Sequence, residues 1–396
     1  DAITTGNDNT MLGWGAGGAS GNIASTNNTM IGSNAGQGSL KNDNTYVGYR
    51  SGTQNKAGTA NVAIGSYANY DPYGNRYSGS YGVMVGYGAG QYAGGDKNTH
   101  LGSYAGHYAT GSYNTFVGQA AGQGGTTSAP YSSGENNTAI GYEALRYFTT
   151  GNRNVAVGFK AGRLITTAVG SVAVGYGAAD DATTGGQFVA IGESAAGTVT
   201  TDSNYVAVGY GAGQNWVSGI GARYNTALGY AANLNGGPGI HVTAIGANAG
   251  NYATGSYNTF VGSDAGKGGT TSAPYSSGQY NVAVGYAALD AFTTGNNNIA
   301  IGADALGAAT TTSGNIAIGR DALKIYTSGT GNNIAIGSYA LDSANSDMER
   351  NIVIGISAGA TLNHADADNH VIIGAYAGGA LTTAGYCTLI GSSAGY

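Results

Sequence analysis

A Thr, Val or Ile, then any residue, then an Ile, Val or Leu, then a glycine: this string recurs 22 times along the 396 residues, from Gly13 to Gly391. A small residue stands three places after each of these glycines, Ala in 21 units and Ser51 in the other. Successive repeat glycines are mostly 16 to 18 residues apart, and the longest gap is 23. A short unit recurring along a whole chain is the signature of a solenoid, in which each turn buries its apolar side only against its neighbours. The chain therefore reads as all-β, a single parallel β-solenoid of about 22 short turns over residues 1–396.

Positions are counted below from the repeat glycine. Thr, Val and Ile at −3 favour extended backbone, and glycine, with no Cβ, permits the corner that follows. Side chains alternate along a strand, so −3 and −1 share one face and −2 takes the other. We expect −3 and −1 to face the turn's own core, with the Ala at +3 returning inward where a methyl group fits. The −2 position then faces outward, yet 12 of its 22 residues are Ala and most others are apolar. A near-continuous apolar run indicates burial on both faces. The expected cover is a second copy of the chain, packed against Ala63, Ala156, Ala207, Ala300 and Ala335.

Asn fills −4 in 15 units, among them Asn61, Asn154, Asn281, Asn298 and Asn315. It tolerates left-handed backbone and hydrogen-bonds main chain, which suits the corner leading into the strand, and aligned turns would stack the amides into a ladder. Cys387, the single cysteine, stands at this same position and excludes an intrachain disulfide.

Composition narrows the function class. With 74 Gly, 30 Tyr and only 9% charged residues, and with no three-residue glycine period, the chain is neither collagen-like nor disordered. A net charge of −6 gives no basic footprint for nucleic acid, and no apolar run reaches the roughly 18 residues of a membrane span. No cofactor is called for.

A second level of repetition lies above the first. Tyr108 to Gly118 recurs at Tyr252 to Gly262, and the run from Gly124 recurs from Gly268, both offset by 144 residues. A block of eight units is thus duplicated, long loops near 122–137 and 266–281 included, and Pro130 and Pro274 are expected to project on one side. Thr149, Thr166, Thr183 and Thr200 each begin a Thr pair, spaced by 17 residues. They predict a stacked hydroxyl ladder; adjacent Thr point to opposite faces, which disfavours an ice-binding plane.

Several apparent motifs dissolve into the repeat. Gly13-Trp14-Gly15-Ala16-Gly17-Gly18 matches a dinucleotide-binding pattern, but its glycines belong to the repeat and no crossover helix follows. His364, Asp366, Asp368 and His370 could suit a divalent ion, but they fall between repeat glycines, where a solvated turn is expected; no metal site is assigned. Asp304 and Asp321, both at +2, are the best catalytic pair by spacing, with Arg320 as charge compensation and no sign of a cleft, so no catalytic residue is assigned.

Binding chemistry concentrates in tyrosine. Tyr49, Tyr87, Tyr142, Tyr176, Tyr210, Tyr230 and Tyr286 occupy +1, as do Trp14 and Phe159. Stacked turns would align them into an aromatic stripe, either packed between chains or exposed as a platform for sugar rings or another surface.

Units such as Asn-Val-Ala-Ile-Gly-Ser-Tyr-Ala from Asn61 and Asn-Ile-Ala-Ile-Gly-Arg-Asp-Ala-Leu from Asn315 resemble the head repeats of trimeric autotransporter adhesins. The run Thr-Thr-Gly-Asn-Asn-Asn-Ile-Ala-Ile-Gly from Thr293 is similar to repeats of phage-type tail-fibre proteins. The resemblance implies a left-handed β-roll wound as a trimer that binds surfaces, located outside the cell, on its surface or on a virion. The chain departs from it in its longer, variable turns and in lacking a coiled-coil stalk or C-terminal anchor. The reading is a non-enzymatic structural fibre or filament subunit; the alternatives are a receptor- or glycan-binding adhesin and, further off, a tailspike-like glycan hydrolase.

The ends extend that reading. Asp1 in place of Met suggests a processed product or an excised segment, and neither end has a polar cap. Reading Gly391 to Tyr396 into Asp1 to Gly13 yields one well-formed unit, so head-to-tail stacking of subunits is expected, with a longer parent chain as the competing explanation.

Overall fold

The computed structural model describes residues 6–18, 25–72, 79–125, 131–216, 224–271, 275–343, 348–363, 367–381 and 386–396. Among them are 22 strands of three residues, each ending just before a repeat glycine, and no helix. None of the described residues forms a helix long and apolar enough to cross a membrane. The strands are parallel, and the chain is a β-solenoid. Its contacts divide it into two units, 1–201 and 202–396. The first carries β1 (Thr10–Leu12) to β11 (Val189–Ile191), and the second β12 (Val206–Val208) to β22 (Thr388–Ile390).

Within each unit, equivalent residues of successive turns are paired in register, as in the column Ala283, Ala300, Ala317, Ala335. Glycine at the corner is demanded twice over. Gly302 has φ +129°, and a Cβ there would lie 2.6 Å from the backbone of Gly319 in the next turn. The corner then closes through the N–H of Ala305, which donates to the carbonyl of Gly302.

The faces of the strand are the reverse of the expectation. The −2 side chains point into the turn: Ala63, Ala156, Ala207, Ala300 and Ala335 are wholly buried within the single chain. The −3 and −1 side chains lie outside, with Ile64 exposed to 41%. The five alanines therefore offer no surface to a neighbouring chain. The reason is the interior, where a strand facing a returning corner that carries its own side chain has room for little more than a methyl group. The Ala at +3 does turn inward, as Ala68, Ala305 and Ala322 show.

Larger core residues are accommodated by complementary choices at +4. Where −2 is Ala139, Ala283 or Ala300, the +4 residue is a buried leucine, Leu145, Leu289 or Leu306. Where −2 is Tyr46, His100, Phe116 or Phe260, +4 is Gly52, Gly106, Gly122 or Gly266, whose missing Cβ leaves space for the ring. The +4 backbone is left-handed, φ 50° at Leu306 and 49° at Leu323. Such a conformation costs an L-residue about 1–2 kcal/mol, which the buried leucine side chain offsets.

The amide ladder forms inside the turn corner. Asn281 Oδ1 accepts the backbone N–H of Asn298 at 3.0 Å, and the relation repeats through Asn315, Asn333 and Asn351. Asn298 Nδ2 also donates to the carbonyl of Thr312 at 2.9 Å. The left-handed residue is the one before the Asn, at −5, exemplified by Asn297 with φ 57°. The −4 Asn is thus selected by the ladder rather than by backbone tolerance. His370 takes this place, accepts Cys387 N–H on Nδ1 at 3.2 Å and donates its own N–H to Asn351 Oδ1 at 2.9 Å. It lies buried in the ladder and not in the solvated turn expected of it.

The hydroxyl ladder is present too. Thr149, Thr166 and Thr183 each donate Oγ1–H to the carbonyl of the Thr 17 residues on, at 3.1, 3.1 and 2.9 Å. Thr293 and Thr310 repeat the arrangement in the second unit. Both duplicated loops carry the same parallel bridge, Ala109 to Ser132 and Ala253 to Ser276. Pro130 and Pro274, like His364 and Asp366, lie outside the described residues.

Candidate binding surface

The outer face of each sheet is made of β-branched and aliphatic side chains. Every −3 and −1 residue in all 22 units is Thr, Val, Ile or Leu, so the strands present no charge outward. From Val282 to Ile373, six successive strands place only Val and Ile there. The apolar groups outside the turn are consequently larger than the alanines within it.

Beside these rows runs the +1 stripe. Tyr49, Tyr87, Tyr142, Tyr176, Tyr210, Tyr230 and Tyr286 are all 39–61% exposed. The stripe is not continuous. Tyr142, Phe159 and Tyr176 stack with centroids 5.1 and 4.9 Å apart, and Tyr210 stacks on Tyr230 at 5.4 Å. Tyr49 and Tyr87 are joined edge-on through Tyr67 at 5.3 and 6.0 Å. Tyr286 is flanked at +1 by Ser263 and Ala303 and has no ring to stack on. Within the stacks only Phe159 is covered on both faces, and each end ring keeps one outer face beside its edge and hydroxyl. Rings outside such stacks, among them Tyr286 and the highly exposed Trp14, are the more open platforms.

Sequence reasoning missed a second aromatic column, at −5. Tyr224, His241, Tyr257 and Tyr280 stack with centroids 5.1, 5.2 and 5.0 Å apart and planes within 10°. The signal was available, since each stands immediately before the ladder position. It was hidden by the variety of residues at −5 in other turns.

The carboxylates at +2 form an ion-pair network. Lys324 Nζ lies 2.7 Å from Asp321 Oδ1 and 3.8 Å from Asp304 Oδ2, and Arg320 approaches Asp321 at 3.4 Å. The hydrogen bond to Asp321 raises the Lys324 pKa above its ordinary value, keeping the ammonium charged. Burial, followed by the nearby Asp304, raises the carboxyl of Asp290. A lysine bridging both carboxylates is the arrangement of charge compensation. Among the described residues no cluster of His, Cys, Asp and Glu could hold a metal ion.

No family model matches the chain, and no curated protein or solved structure matches it either.

Proposed function

We propose that the chain is a non-enzymatic subunit of an extracellular fibre, associating laterally with copies of itself and adding head to tail. The observation that carries this reading is the uncharged outer face. Exposed β-sheet is ordinarily guarded by Lys, Glu or Pro, and here the guarding residues are absent from every outward strand position. At on the order of 50 Å² per partly exposed side chain, eleven turns of one unit offer on the order of 1,000 Å², above the roughly 800 Å² per partner of a standard interface. A second copy has the same turn spacing and can match such rows over their whole length.

Light scattering and negative-stain electron microscopy of the purified chain test this reading. Threads or discrete multimers are expected. A monodisperse monomer at high concentration in physiological buffer would refute it. A second reading, an adhesin that binds glycans or cell surfaces, draws on the exposed aromatics; glycan-array binding that is lost in Trp14→Ala and Tyr286→Ala would favour it.

A further inference from the structure

We propose that Tyr257 and Tyr280 form an oxidative coupling site, where a one-electron oxidant driven by peroxide joins the two phenol rings into dityrosine. The site needs neither partner chain nor fibre, so it stands apart from the assembly reading.

The first observation is backbone strain. Tyr224, His241, Tyr257 and Tyr280 have φ of 62°, 56°, 60° and 57°. Glycine or asparagine would occupy this left-handed corner at less cost, and other turns use Asn27, Asn136 and Asn297 there. Bulky residues such as Lys97, Tyr113 and Arg153 hold the same left-handed backbone in other turns, so what sets these four apart is their succession, which lays each ring on the next.

The second observation is alignment. The rings of Tyr257 and Tyr280 are 5.0 Å apart with planes within 1°. Their backbones are pinned one turn apart, Tyr257 N–H on the carbonyl of Ile240 at 2.9 Å and Tyr280 N–H on that of Ser256 at 3.2 Å. Both rings are open to an oxidant, at 44% and 53% exposure. In this column they alone are two phenols in direct contact, because His241 separates Tyr224 from Tyr257.

The chemistry balances with hydrogen peroxide and a haem peroxidase as co-reactants. Each phenol loses one electron and one proton, a carbon–carbon bond forms between the ortho carbons of the two radicals, and the ring hydrogens return to the oxygens. Two electrons and two protons reduce one peroxide to two waters. The link closes the chain between Tyr257 and Tyr280, stapling the long duplicated loop of the second unit. The corresponding positions in the first unit, 144 residues earlier, are Tyr113 and Asn136, which cannot couple.

The test is treatment of the dilute full chain with peroxide and peroxidase, using a mixture of light and isotopically heavy protein, followed by digestion and mass spectrometry. A peptide pair joining Tyr257 to Tyr280, two hydrogens lighter and purely light or purely heavy, is expected, beside any product of the other exposed stack, Tyr210 on Tyr230. It should vanish in Tyr257→Phe and in Tyr280→Phe, both of which keep the stacked ring and should retain the native circular dichroism. The proposal is overturned if no such pair forms, if Tyr286, more exposed but unstacked, couples as abundantly, or if the 257–280 link joins light to heavy chains.

Discussion

The ring of Phe116 occupies the space that a side chain on Gly122 would need, since a Cβ on Gly122 would lie 2.4 Å from it. Phe260 and Gly266 stand in the same relation, with a Cβ on Gly266 only 2.0 Å from the ring. In these two turns the large inward residue stands on the strand, whereas in turns such as that of Ala139 and Leu145 it stands on the returning corner.

Exchanging the two positions should be tolerated where either single change is not. Gly122→Leu alone overpacks the turn and should cost about 3 kcal/mol or more, while Phe116→Ala alone leaves a cavity worth about 3–5 kcal/mol. The double variant recreates the pairing of Ala139 with Leu145 and should recover at least about 2 kcal/mol of the summed loss. Urea unfolding of all four proteins checks this; strict additivity would show that the two sites do not share one space.

Asn298→Ala removes the acceptor of the buried Asn315 N–H. The expected loss is about 1–3 kcal/mol. Amide hydrogen exchange at Asn315 should accelerate more than at residues several turns away. Unchanged exchange there would mean that the ladder contributes nothing to local stability.

Acid should destabilise the first unit through its buried imidazoles. Burial lowers the pKa of His100 from 6.5 to about 3, and that of His107 to about 4. The unfolded chain binds protons below pH 6.5 that the folded chain refuses, so stability is full above that pH and falls as pH drops toward 3. At pH 4.5 His100 alone accounts for about 2–3 kcal/mol of this loss. Both its ring nitrogens lack a hydrogen-bond partner, and the ring stacks on Phe116 at 5.2 Å. His100→Phe should therefore flatten the acid limb of thermal stability; an unchanged slope between pH 6.5 and 4 would contradict the assignment.

Lysine at the two faces of one strand should separate folding from assembly. Ala300→Lys buries an unpaired charge inside the turn and should cost several kcal/mol, with loss of native circular dichroism. Ile301→Lys places the charge on the outer row, which should leave the fold intact and weaken association. Sizing by light scattering distinguishes the outcomes, and a fully assembled Ile301→Lys protein would remove the outer row from the interface.

Much of this architecture was legible in the sequence, because the repeat glycines and β-branched −3 residues fix where each strand lies and with what it pairs. The ladder of Asn281, Asn298 and Asn315 was legible for the same reason. The choice of face was not. Val62, Ala63 and Ile64 are all apolar, so alternation gives two faces without saying which is inside. Size decides it: an alanine fits between strand and return, and a larger residue enters only opposite a glycine at +4, as Phe116 does opposite Gly122. The clustering of contacts into two units is likewise invisible to a repeat count.

The inter-turn bonds of each unit join equivalent positions, so a copied run of whole turns meets its neighbours with the same surfaces it left. The 144-residue offset spans eight repeat units, from Gly118 to Gly262, and carries its long loop with it. Length in such a chain behaves as a heritable ruler. Recombination in the coding DNA can lengthen or shorten it by integer turns without inventing a new contact, whereas inserting or deleting a single residue within a strand would turn its side chains to the wrong face.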